Sequence, residues 1–123
     1  MPYALEVLDY LIQYYRLSII TNGFDDIQHT KLSTSNLLPY FDHIITSQST
    51  GCRKPSCDIF NIALQRNGIK HHEAMMIGDN LITDIGGANS VYIDTVFFNP
   101  EKNSHDSFMV HEINCLSELR RIL

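Results

Sequence analysis

Short apolar runs alternate along this chain with longer segments whose apolar residues recur at helical spacing. The runs are four or five residues long and occupy residues 17–21, 43–46, 74–77 and 95–98. Strands that are apolar on both faces are typical of parallel sheets, because helices cover both sides of such a sheet. The alternation therefore predicts a doubly wound, Rossmann-like α/β fold with a parallel sheet.

The segments between these runs predict helices. Leu5, Leu8 and Leu11 share one helical face, and Asn67-Gly68 is a suitable helix C-terminus. With 123 residues and no internal repeat or linker, the chain is expected to form one domain over residues 1–123. The predicted helices cover residues 2–15, about 25–36, about 59–67, about 84–91 and about 117–123.

Composition argues against nucleic-acid and membrane partners. The chain has 14 acidic and 9 basic residues, a formal net charge of −5, whereas nucleic-acid binding requires a basic face. No apolar run approaches the roughly 20 residues of a membrane-spanning helix, so no membrane partner is expected. The odd number of cysteines predicts free thiols in a reducing cytoplasm, with a zinc site at Cys52 and Cys57 as the weaker alternative.

Two carboxylates follow the third predicted strand, Asp79 directly after Gly78 and Asp84 five residues later. In doubly wound sheets ligands bind beyond the carboxyl ends of the strands. On a continuous helix the two side chains would point about 140° apart, but a loop between them lets them converge. Hard oxygen ligands of this kind suit Mg²⁺. Asp84 is also a suitable N-cap for the following helix, and we expect both roles.

Two further polar segments follow predicted strands or precede a helix. The Thr21 hydroxyl, the Asn22 amide and the N–H groups around Gly23 suit phosphate oxygens, although Asn-Gly alone favours an ordinary turn. Lys54 can neutralise a phosphate, although a lone lysine is usually a solvated surface residue. Pro55 restricts the backbone beside it, which favours a fixed position for Lys54.

Together these segments resemble a known family. Thr21-Asn22-Gly23, Lys54-Pro55 and Gly78-Asp79-xxxx-Asp84 have the order and roughly the spacing of the second, third and fourth motifs of the haloacid dehalogenase superfamily. The intervening sequence, including residues 39–47 and 94–99, is similar to the branch typified by pyrimidine 5'-nucleotidases, in which a helical cap is inserted early in the chain. The resemblance covers nearly all of the chain.

The resemblance implies a magnesium-dependent phosphohydrolase acting on a small phosphate ester such as a nucleotide 5'-phosphate. It implies that Asp79 binds Mg²⁺ and that Asp84 supports the ion directly or through water. Thr21 and the Asn22 backbone would hold the phosphoryl group, and Lys54 would be the catalytic cation that balances its charge. The alternatives are a non-catalytic binding or regulatory relic of this fold, and a metal-free dehalogenase, against which the pair Asp79 and Asp84 argues.

The family's first motif is not found in this sequence. In the family, an aspartate of an Asp-x-Asp motif attacks phosphorus and the second aspartate acts as general acid and base. Asp25-Asp26 follows the second motif instead of preceding it, and Asp9 lies inside a predicted helix. We expect a truncated core that is inactive alone and whose partner is the missing N-terminal segment or a second copy of the chain.

The absent motif has a structural consequence. In the family its strand is central, between the strands predicted at residues 17–21 and 74–77. The two strands can pair directly, another chain can fill the gap, or the core can stay loosely folded. For a compact monomer we expect direct pairing, which restores a hydrogen-bonded ladder.

Two details of the following helix are also expected. The resemblance places a glycine where the chain has Tyr92, so a left-handed helix end there would strain Tyr92 by about 1 kcal/mol. Gly86-Gly87 is expected to permit close packing between helix and sheet instead of phosphate binding.

Overall fold

The computed structural model describes residues 3–23, 30–31, 33–34 and 36–123. Within these residues the strands are β1 (Ser18–Thr21), β2 (His43–Thr46), β3 (Met75–Gly78), β4 (Asp94–Phe98) and β5 (His111–Ile113). The helices are α1 (Ala4–Leu11), α2 (Ser47–Thr50), α3 (Cys57–Asn67), α4, which is π-helical over Leu81–Gly86 and α-helical over Gly87–Asn89, and α5 (Leu119–Ile122). Short 3-10 turns occupy Leu38–Tyr40, His71–Glu73 and Leu116–Glu118.

The predicted strands are all present, with bounds that shift by one residue or less. Strand β5 was not predicted, because only Ile113 of its three residues is apolar. A single apolar residue is enough for this strand, since among the described strands it pairs only with β4 and buries Ile113 to 2% exposure. Most of the helix predicted over about 25–36 lies outside the described residues. Of those it shares with them, 30–31 and 33–34 are helical and Asn36 is in a turn. None of the helices in the described ranges is long and apolar enough to cross a bilayer.

The strands form two parallel sheets. In the first, β1 pairs with β2, with Ile19 opposite Ile44. In the second, β4 lies between β3 and β5, with Ile77 opposite Val96. Every ladder is parallel, so the predicted α/β fold with parallel strands is confirmed.

Helices on opposite faces hold the two sheets side by side. On one face, Ile20 of β1 and Met76 of β3 both pack against the cluster that contains Phe60 and Ala63 of α3. On the other face, Met75 and Ile77 pack against the cluster formed with α1 and α5. The side chains of β3 therefore alternate between two apolar layers, as a strand buried on both faces requires.

An apolar slot separates β1 from β3. A cavity of about 630 Å³ is lined by Ile19 and Ile20 of β1, by Met76 and Ile77 of β3 and by residues of α1 and α3. No hydrogen-bonded ladder joins the two strands within the described part of the chain, so the expected direct pairing is wrong. Because Ile20 of β1 and Met76 of β3 pack against the same apolar cluster, closing the slot would require the strands to leave their positions on this cluster.

All eight residues of β1 and β3 are only partly buried, whereas Thr95, Val96 and Phe97 of the central strand β4 are buried. A strand edge that faces no partner leaves backbone N–H and C=O groups available for pairing. The slot therefore has the features of a position for one further strand, apolar on both faces.

Tyr92 ends the helical segment in the left-handed conformation, with a φ of 63°. Its N–H donates to the Asn89 carbonyl, and the N–H of Ile93 donates to the Ala88 carbonyl, which closes the helix end. The tyrosine ring is 79% exposed and contacts the His71 ring at a centroid distance of 6.1 Å. Of the two helix ends considered for this position, the structure therefore has the left-handed one, at a residue that is not glycine.

Glycine at position 92 is expected to relieve this strain. Tyr92→Gly should be more stable than Tyr92→Ala by about 1 kcal/mol, because both variants lose the ring but only alanine keeps a Cβ in the left-handed region. Urea unfolding of the two variants measures the difference directly. Equal free energies of unfolding would show that the backbone at this position carries no strain.

Candidate functional site

The residues predicted to form a site come together at the carboxyl ends of β1 and β3. Thr21 is the last residue of β1, and Asn22 follows it. Asp79 follows β3, and Asp84 lies one helical turn further on. Lys54, from the loop before α3, contacts residues on both sides of the slot.

Lys54 and Asp84 form a nearly buried ion pair. The Lys54 Nζ lies 2.5 Å from Oδ1 of Asp84, and the two side chains are 13% and 7% exposed. The second oxygen of Asp84, Oδ2, accepts from the main-chain N–H groups of Asp79 and Asn80, each at 3.2 Å. Both carboxylate oxygens of Asp84 are therefore engaged by donors within the protein.

Asp84 approaches β3 closely because position 78 has no side chain. A Cβ on Gly78 would lie 2.7 Å from Cγ of Asp84 and 2.5 Å from its Oδ2. No ordinary contact is that short, so any larger residue at position 78 would push Asp84 away from Lys54. Gly78 is thus required by the close approach of the Asp84 carboxylate to the end of the strand.

The expected N-cap role of Asp84 is wrong. Helix α4 begins three residues earlier, at Leu81, and its N-cap is Asn80, whose side chain accepts from the N–H groups of Ile82 and Thr83 at 3.0 and 2.9 Å. Asp84 lies inside the π-helical segment, with its carboxylate turned back towards β3. π-Helical turns are frequent at functional sites, because they redirect a side chain from the helical register.

Asp79 presents the more available carboxylate. It is exposed, and its side chain makes no hydrogen bond or ion pair with any residue that the structure describes. In those same residues there is no cluster of three or more His, Cys, Asp or Glu side chains suited to a metal ion. Asp79 is thus a free oxygen ligand that fits a hard cation such as Mg²⁺, which retains several waters and takes few protein carboxylates.

The loop after β1 is held on two sides. The main-chain N–H of Lys54 donates to Oδ1 of Asn22 at 2.7 Å, and Nδ2 of Asn22 donates to the Lys54 carbonyl at 3.1 Å. The Gly23 carbonyl accepts from the Ser47 hydroxyl at 3.3 Å and from the Gln48 N–H at 3.4 Å. The Thr21 hydroxyl donates to no described residue and is available to a ligand.

The Lys54 loop is seated against α4. A Cβ on Gly87 would lie 2.8 Å from Cζ of Phe60 and 3.2 Å from Cα of Pro55, so this glycine permits close packing. The close packing expected at Gly86-Gly87 is found at Gly87, but its partners are α3 and the Lys54 loop instead of the sheet. The close contact between Gly87 and Pro55 thereby holds the Lys54 loop against α4.

Sequence reasoning missed a polar cluster at the end of β4. Asn99 is 3% exposed, and its Nδ2 donates to Glu112 Oε2 at 3.0 Å and to the Asn103 carbonyl at 2.9 Å. His105 contacts the other Glu112 oxygen at 2.7 Å. Hydrogen bonds from His105 and Asn99 lower the pKa of Glu112 below its ordinary value. The cluster fixes the loop after β4, and the sequence signals it only as an asparagine at a strand end.

Breaking the buried ion pair should destabilise the fold. Lys54→Ala is expected to lower the free energy of unfolding by about 3 kcal/mol, because it leaves the Asp84 carboxylate buried without its cation. The double variant Lys54→Ala/Asp84→Ala should lose less than the sum of the single variants. Chemical denaturation of the four proteins measures this coupling.

The surface pair Arg121–Glu118 supplies the control, because the Arg121 side chain is 76% exposed and its nitrogen lies 3.2 Å from the glutamate. Arg121→Ala should change the free energy of unfolding by less than about 1 kcal/mol. Additive effects of Lys54→Ala and Asp84→Ala would contradict the energetic role given to the buried pair.

The site and fold are similar to those of known proteins. Residues 1–98 match the haloacid dehalogenase-like hydrolases. Pyrimidine 5'-nucleotidase PynA of Streptococcus pneumoniae is 38% identical over 99 residues, which are 79% of this chain and 42% of that protein. Ribulose-1,5-bisphosphate 5-phosphatase of Halopiger xanaduensis is 40% identical over 105 residues, 85% of this chain and 44% of that protein.

A solved structure has the same fold. The HAD-hydrolase YfnB of Bacillus subtilis, in a crystal form bound to magnesium, matches with a TM-score of 0.95 at 32% identity, over 99% of this chain and 55% of that one. The chain spans about half the length of the relatives it matches.

Proposed function

Because the chain belongs to the haloacid dehalogenase-like hydrolases, we propose that it is the phosphate- and metal-binding part of a magnesium-dependent phosphomonoester hydrolase. The observation that carries this proposal is the Lys54 ammonium, held in a nearly buried ion pair with Asp84, whose other oxygen accepts from the main-chain N–H of Asp79. The exposed Asp79 carboxylate itself makes no hydrogen bond or ion pair with a described residue. Nucleotide 5'-phosphates are the proposed substrates, supported by the 38% identity to a pyrimidine 5'-nucleotidase.

Each polar group at the strand ends has a role in this proposal. The Thr21 hydroxyl and the main chain of Asn22 bind the phosphoryl oxygens. Lys54 offsets their charge, and its ammonium keeps donors for the substrate, since a lysine has three donors and Asp84 Oδ1 accepts one. Donors that are already held in place cost little reorganisation when charge develops on the phosphoryl group.

Asp79 and Asp84 are the proposed residues for Mg²⁺. The free carboxylate of Asp79 would contact the ion, and Asp84, whose oxygens already accept from Lys54 and two N–H groups, would act through water. The bound ion would supply positive charge beside the transferring phosphoryl group. Asp84 meanwhile fixes the direction of the Lys54 ammonium.

The attacking carboxylate is proposed to come from a segment outside these 123 residues, on a strand that fills the slot between β1 and β3. A carboxylate oxygen forms a bond to phosphorus as the ester P–O bond breaks, and the alcohol leaves with a proton from a second acid. Water then cleaves the acyl phosphate, which releases phosphate and restores the carboxylate. The unpaired edges of β1 and β3 and the apolar lining of the slot support this proposal.

A non-catalytic relic and a metal-free dehalogenase remain the alternatives. A metal-free reaction gives no use to an exposed, unpaired carboxylate at the end of β3, whereas a magnesium-dependent one does. A relic would bind a ligand but would gain no activity when the missing carboxylates are supplied. The next two experiments separate these possibilities.

Weak Mg²⁺ binding that depends on Asp79 is expected. Isothermal titration of the chain with MgCl₂ should give a small binding heat that Asp79→Asn abolishes, because few protein ligands are present. Asp94→Asn is the matched control, since Asp94 is also exposed but lies at the amino end of the strands, as the first residue of β4, away from the carboxyl ends that form the site. Equal heats from the Asp79 variant and the unchanged chain would remove Asp79 from the metal site.

The chain alone should hydrolyse p-nitrophenyl phosphate negligibly, because it lacks the attacking carboxylate. Turnover should rise when a peptide is added that ends an apolar strand in Asp-x-Asp, and the same peptide with Asn-x-Asn should not restore it. Turnover of about 1 s⁻¹ or more by the chain alone, an ordinary enzyme rate, would contradict the assignment of the nucleophile.

A second copy of the chain is the alternative occupant of the slot. Sedimentation measurements would then show a dimer that dissociates when the Asp-x-Asp peptide is added. If neither peptide changes activity or assembly, the relic is the better description.

A further inference from the structure

Both polar ends of the Asn22 side chain are bound to the main chain of one distant residue. Oδ1 of Asn22 accepts from the Lys54 N–H at 2.7 Å, and its Nδ2 donates to the Lys54 carbonyl at 3.1 Å, across 32 residues of sequence. A two-point contact of this kind fixes the orientation of the Lys54 peptide units as well as their position. The amide of Asn22 is therefore engaged within the protein.

The contact continues from Lys54 to the second sheet. The Nζ of Lys54 reaches Asp84, and Asp84 accepts from the N–H groups of Asp79 and Asn80 at the end of β3. Asn22 follows β1, so the sequence of contacts Asn22–Lys54–Asp84 joins the ends of the two sheets on either side of the slot. No ladder joins β1 to β3 within the described residues, so this polar connection sets the relation between their ends.

We infer that Asn22 is a positioning residue for Lys54. The Asn22 side chain directs the Lys54 ammonium towards Asp84 and does not itself bind substrate. The importance of that position rests on the function proposed above for Lys54. The hydrogen bonds join two groups of the protein itself, the Asn22 amide and the Lys54 main chain. They can therefore be tested independently of hydrolysis.

The chain offers a closely matched control. Asn67 is also a partly buried asparagine whose amide makes two hydrogen bonds, one to the Ala63 carbonyl at 2.8 Å and one from the Ser18 hydroxyl at 3.2 Å. It contacts the first residue of β1, at the opposite end of the strand from Asn22. Asn67→Ala therefore reproduces the loss of two hydrogen bonds without changing the Lys54 loop.

The test measures the reactivity of each lysine towards an acetylating reagent, by peptide mass spectrometry of the folded 123-residue chain. Asn22→Ala should raise the acetylation rate of Lys54 roughly tenfold, a factor of the size expected for the loss of one or two net hydrogen bonds. Lys70 and Lys102 are exposed and serve as internal references whose rates should not change. Asn67→Ala should leave the Lys54 rate unchanged.

Asn22→Asp provides the intermediate case and a second variant should Asn22→Ala not fold. Its carboxylate still accepts from the Lys54 N–H but has no donor for the Lys54 carbonyl. Its Lys54 rate should lie between those of the unchanged chain and Asn22→Ala.

Equal Lys54 rates in the Asn22 variants and Asn67→Ala would overturn the inference, as would a parallel rise at Lys70 and Lys102. A selective rise at Lys54 supports it whether or not the chain binds Mg²⁺. Failure of the titration together with a selective rise would remove the proposed function and leave the positioning role intact.

Discussion

The ion pair between Lys54 and Asp84 connects parts of the chain that no backbone ladder connects among the residues the structure describes. Its cation comes from the loop before α3 and its anion from the π-helical turn after β3. Both side chains are nearly buried, and a buried charge is stable only when it is paired and accepts or donates further hydrogen bonds. Asp84 meets this condition through two N–H groups, and it reaches them because Gly78 has no Cβ.

The apolar layers and this polar connection stabilise different aspects of the fold. The apolar cluster that contains Phe60 and Ala63 packs against Ile20 of β1 and Met76 of β3 and so relates the positions of the two strands. The apolar contacts are non-directional, so they fix distance better than orientation. Hydrogen bonds between Asn22, Lys54 and Asp84 add the orientation at the carboxyl ends. The slot between β1 and β3 stays open because the apolar contacts and the polar contacts are both satisfied at the same separation of the two strands.

The sequence predicted the strands well because period and composition act locally. It also placed Thr21 and Asp79 at the same end of the sheet, since the carboxyl ends of parallel strands lie together, whereas Lys54 was assigned to the site only through the family resemblance. It failed where two local signals compete, as at Asp84, where Asn80 provides a better-placed cap. It failed as well where a side chain acts over a long range: Asn22-Gly23 has the composition of an ordinary turn, and only the fold brings the Asn22 amide to Lys54. Strand β5 was missed because an edge strand needs few apolar residues.

The different environments of the two carboxylates give them different chemistry. Asp84 already satisfies both oxygens within the protein, so drawing it into direct coordination would remove donors from a nearly buried anion and leave Lys54 unpaired. Asp79 is exposed and gives up only water when it binds a cation. Counted together, Lys54, Asp79 and Asp84 carry a net charge of −1, which repels a phosphate dianion. A divalent cation at Asp79 would reverse that sign, so in the proposed enzyme the ion and the phosphate are expected to favour each other's binding.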